Sequence, residues 1–141
     1  MTDRIAAAIA RIESATGLSA ILDAGYDGFE LMLPLIEDQQ DPDSGMFGVF
    51  VRAAACAANG RDALLFAPSL SPFSPRPPHA PLPGWPACQA ATALAQLSRA
   101  LTGRLGAAAR LAAGDADRRA CADGQREAHR LTQLLDGMTG V

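Results

Sequence analysis

At 141 residues the chain has room for one compact domain, or for a small domain with an appended hairpin. It is rich in alanine and poor in aromatics, so a core must come from close helix–helix approach rather than from bulky side chains. A net charge of −3 with no dense basic face argues against nucleic-acid binding, and no uninterrupted apolar run reaches the roughly 18 residues of a membrane span.

Residues 2–16 read as a first helix. Thr2 or Asp3 can cap it, Ile5, Ile9 and Ile12 form one apolar line, and Gly17 ends it. A second helix is expected from an N-cap at Ser19, with Leu22, Tyr26, Phe29, Leu33 and Ile36 as its apolar stripe. Asp23, Asp27 and Glu30 lie on another arc of that helix, and Pro34 is expected to kink it or end it near Leu33. Asp41, Pro42, Asp43, Ser44 and Gly45 then make a capping turn. The turn lacks the third ligand, the glycine offset and the distal Glu of a calcium loop.

From Met46 to Ala58 only Arg52 is charged. A helix apolar on nearly every side is a buried one, so this segment is the expected central helix, with Asn59 and Gly60 as its stop. Ala63–Phe66 fits one more helical turn or a short extended piece. Residues 67–86 hold eight of the ten prolines. Proline fixes φ and removes a donor, so this connector is expected to be extended, crossing the helices with Phe73, Leu82 and Trp85 as pins. Its PxxP spacings suit an SH3 ligand poorly, because Arg76 is at the wrong offset for either orientation.

After the connector, Pro86 suits the first turn of a helix in which Leu94, Leu97, Leu101, Leu105, Ala108 and Leu111 recur at steps of three and four. Gly114 and Asp115 read as a tight stop and restart. The last helix places Cys121, Gly124, Ala128, Leu131, Leu135 and Met138 on one face, small enough at first for close approach to its neighbour. The whole is read as all-α: a compact bundle of about five helices in a single domain, with 1–66 as N-terminal helices, 67–86 as the proline-rich connector and 87–141 as a helical hairpin. That hairpin either packs on the first body or pairs with its counterpart in a second chain.

Charge is unevenly divided. Residues 1–66 carry ten acids and four arginines, and residues 67–141 carry five acids and eight arginines. Halves of opposite sign are expected to dock on each other or to steer a charged partner. Cys56, Cys88 and Cys121 form no CxxC, an odd and sparse set that suits reduced thiols in a cytoplasmic protein.

Chemistry-bearing patterns are few. The carboxylate row of Asp23, Asp27 and Glu30 reads as a solvated or arginine-accepting face, since no Glu-x-x-His completes a di-metal site. Arg52 needs a carboxylate such as Asp27 or Glu30, an anion, or solvent. His79 and His129 have no nucleophile beside them, and there is no phosphate loop or dinucleotide fingerprint. No cofactor or metal is expected, and nothing decides for or against an enzyme.

Three functional readings compete. The leading one is a small non-catalytic interaction or regulatory module, a homodimer or the partner of another protein. The second is a binder of a small apolar or anionic ligand, in a pocket between the central helix and the proline connector lined by Tyr26, Phe29, Arg52, Phe50, Phe66, His79 and Trp85, with Phe47 nearby. The third is a small helical enzyme using that pocket. A filled core with an exposed apolar patch favours the first, and a cavity beside Trp85 favours the others.

Overall fold

Alanine-rich segments with leucine and isoleucine at three- and four-residue steps bury their stripes best against one another as helices. The computed structural model describes residues 2–71 and 86–139, and among them there are five α-helices and no strand. These are α1 (Thr2–Ser14), α2 (Leu18–Glu37), α3 (Phe47–Leu65), α4 (Ala87–Leu111) and α5 (Asp115–Thr139). The all-helical bundle and its C-terminal hairpin agree with the periodicity reading.

Packing closes a ring: α4 lies against α5, α5 against α3, α3 against α2, and α2 against α4. Helix α1 lies against α2 and α4. Gly25 early in α2, Leu64 late in α3, Leu105 late in α4 and Gly124 in the first half of α5 meet at one level. Helices α2 and α5 therefore run one way and α3 and α4 the other. Every neighbouring pair in the ring is antiparallel, and like-directed helices sit on the diagonals.

One consequence falls on the connector. Helices α3 and α4 end at the same end of the bundle, so the chain must regain the length of α4 between Ser71 and Pro86. For 25 residues that length is about 37 Å. Residues 72–85 lie outside the described set, and so do the expected pins Phe73, Leu82 and Trp85 and the PxxP motifs. Their number is sufficient, because polyproline-like backbone reaches about 3.1 Å per residue.

Tertiary contacts explain where the structure departs from the sequence pattern. Gly17, not Ser19, stands before α2, at φ +87°, a region open to glycine at little cost. Pro34 does not end α2: the helix continues to Glu37 because Leu33, Leu35 and Ile36 are buried, although the ring removes one bond to the carbonyl four residues back. Helix α3 runs through Asn59 and Gly60 to Leu65. Gly60 is an interior glycine, and a Cβ there would lie 2.5 Å from ring carbons of Phe29.

The central helix is α2 rather than the segment 46–58. Twelve of its 20 residues are buried, against five of the 19 in α3. Among the described residues α3 packs chiefly on α2 and α5, and Phe47, Val51, Ala55 and Leu65 on its other side are exposed. The apolar face of the α4–α5 hairpin is used within the chain, as the first of the two arrangements expected for it. Ser98, fully buried, shares a 2.8 Å hydrogen bond with Thr132, and Gln125 Nε2 donates to the carbonyl of Thr102 at 3.2 Å. Gly106 leaves room for Gln125.

The ion pairs Arg11–Asp27, Arg61–Glu30 and Arg99–Asp136 each draw both partners from one half. Apolar packing of α4 and α5 on α1, α2 and α3 makes the junction, with Arg104 donating to the carbonyl of Ala15.

Candidate docking surface

Of the residues expected to line one pocket, the described ones stand in different surroundings. Tyr26, Phe29 and Phe50 are core side chains, at 5%, 0% and 0% exposure. Phe66 follows the last turn of α3 and is 80% exposed. Arg52 is exposed and has no hydrogen bond or ion pair among the described residues. His79 and Trp85 lie outside them.

The carboxylate row is divided among separate partners. Asp27 pairs with Arg11, Glu30 stands 3.5 Å from Arg61, and Asp23 accepts from Ser71. The two arginines against this face, Arg11 and Arg61, come from the acidic half itself. Among the described residues no cluster of three or more His, Cys, Asp or Glu is arranged to hold a metal. Asp41 Oδ1 accepts from the backbone N–H of Asp43 at 3.0 Å, and Ser44 Oγ from that of Met46 at 3.1 Å, so the turn before α3 is a cap.

Two serines tie the start of the connector to the end of the bundle. Ser69 donates its N–H to Asp117 Oδ1 at 3.0 Å and its hydroxyl to Oδ2 at 2.6 Å. Ser71 repeats the pattern on Asp23, at 2.9 and 2.6 Å. Asp117 is buried in the first turn of α5, where the helix dipole favours a carboxylate. Neither serine stood out in the sequence, because a hydroxyl beside prolines has many uses and the partners are 48 residues away. The chain thus passes from α3 to α5 to α2, away from the outer side of α3.

That outer side is the conspicuous surface. Phe47, Val51, Ala55 and Leu65 are exposed along one arc of α3 at helical spacing, with Asp62 within it, while Ala58 on the same arc is half-buried against the core. Phe47, Val51 and Leu65 are 36%, 41% and 48% exposed. Solvent-facing helix surface is ordinarily polar, and this arc departs from that pattern. Beside it a groove of about 450 Å³ runs between the end of α3 and the start of α5, with Phe66 and Ala63 on one wall and Arg119 on the other. Sequence reading took the same apolar pattern for burial. Periodicity reports that a face is apolar, not which element covers it.

The thiols are graded by environment. Burial, with Asp117 nearby, pushes Cys121 up to about 11 from its ordinary 9.0. Burial and then Glu127 raise Cys56 as well. Cys88 is exposed. With a thiol reagent near pH 8, Cys88 is expected to label first, Cys56 slowly and Cys121 only after unfolding, as site-resolved mass spectrometry would read. Between pH 9 and 11 an unfolded thiol ionises while Cys121 stays protonated, so the folded state binds more protons and stability falls as pH rises. A cysteine-to-alanine change at 121 is expected to flatten that slope.

The chain matches no protein-family model, no curated protein and no solved structure.

Proposed function

We propose that this protein is a small non-catalytic interaction module that docks a protein partner on the outer face of α3. One observation carries the reading: Phe47, Val51, Ala55 and Leu65 are exposed along one arc of a helix anchored by its other side in the core. Exposing such a face costs solubility, and docking removes its apolar area from water. The aromatic residues that a pocket would have needed, Tyr26, Phe29 and Phe50, are instead packed as core.

Site-specific photocrosslinking in cells tests this. A photoreactive phenylalanine analogue at Val51 or at Leu65 is expected to give one discrete adduct, with the same protein identified at both positions. The analogue at exposed Arg110 on α4 is expected to give none. Absence of an adduct at both α3 positions, or equal adducts at all three, overturns the reading.

A further inference from the structure

We draw no further inference here: the strongest candidate, the groove between the end of α3 and the start of α5, sets Asp115 and Asp123 beside the exposed Arg119, so its charges select no occupant and nothing in the structure shows what fills it.

Discussion

Phe29→Ala is expected to cost about 4 kcal/mol of stability and, in the same protein, to remove the penalty of Gly60→Ala. Phe29 is fully buried in α2, and its ring lies over the bare Cα of Gly60 in α3. A Cβ at Gly60 would stand 2.5 Å from two ring carbons, closer than any real contact, so the ring or the helix must move. Overpacking of that kind typically costs about 1–3 kcal/mol, and the gain of up to about 1 kcal/mol in helix propensity from Gly to Ala offsets only part of it. Gly60→Ala alone is thus expected to lose about 2 kcal/mol. With Phe29 already alanine the clash is gone, and the same change should be neutral or stabilising. Urea denaturation of the two single variants and the double variant measures the coupling. Gly103→Ala is the control: that position is exposed, within α4, with nothing within 4 Å of an added Cβ, and should gain up to about 1 kcal/mol. Additive costs at 29 and 60 would mean that the close approach is not what requires glycine.

Asp117→Ala is expected to be the costliest change of a polar residue, at about 2–3 kcal/mol. It removes two hydrogen bonds to one carboxylate and leaves the partly buried N–H of Ser69 without its acceptor. It also deletes a favourable charge from the first turn of α5. Asp23→Ala breaks the matching pair at an exposed site, where water can replace the lost acceptor, and should cost about 1 kcal/mol or less. Hydrogen exchange at the Ser69 amide distinguishes a local from a global effect. Acceleration there beyond what the lost global stability accounts for is expected for Asp117→Ala. Equal destabilisation by the two changes would show that burial does not separate them.

Much of the architecture was legible in the residues. Leucines at three- and four-residue steps located α4, and Gly114 with Asp115 located the hairpin turn within a residue of its place. Local signals failed where a distant contact outweighed them. Pro34 and Gly60 are both breakers by propensity, yet α2 continues on the burial of Leu35 and Ile36, and α3 continues because Phe29 needs the space at Gly60. Arg52 shows the corresponding limit for the site. One charge in an apolar helix leaves a carboxylate, an anion and solvent all open as partners, and α3, at a corner of the ring, turns Arg52 outward. The amino-acid pattern of α3 does not distinguish a face awaiting a neighbour in the same chain from one awaiting another molecule. Ser69 and Ser71 carried no signal, since their acceptors are set by which helix ends meet.

The crossover from α3 to α4 also orders the folding process. The α4–α5 hairpin closes through only Ala112–Gly114, so its contacts are local and form at small loop entropy. Contacts of α2 with α4, and of α3 with α5, join residues on opposite sides of the connector, and they come later on that account. Eight prolines between residues 67 and 86 restrict φ in the unfolded chain too, so less freedom is lost when that long loop closes. The proline-rich connector is thus expected to act through the unfolded chain, lowering the entropy lost when the two halves join.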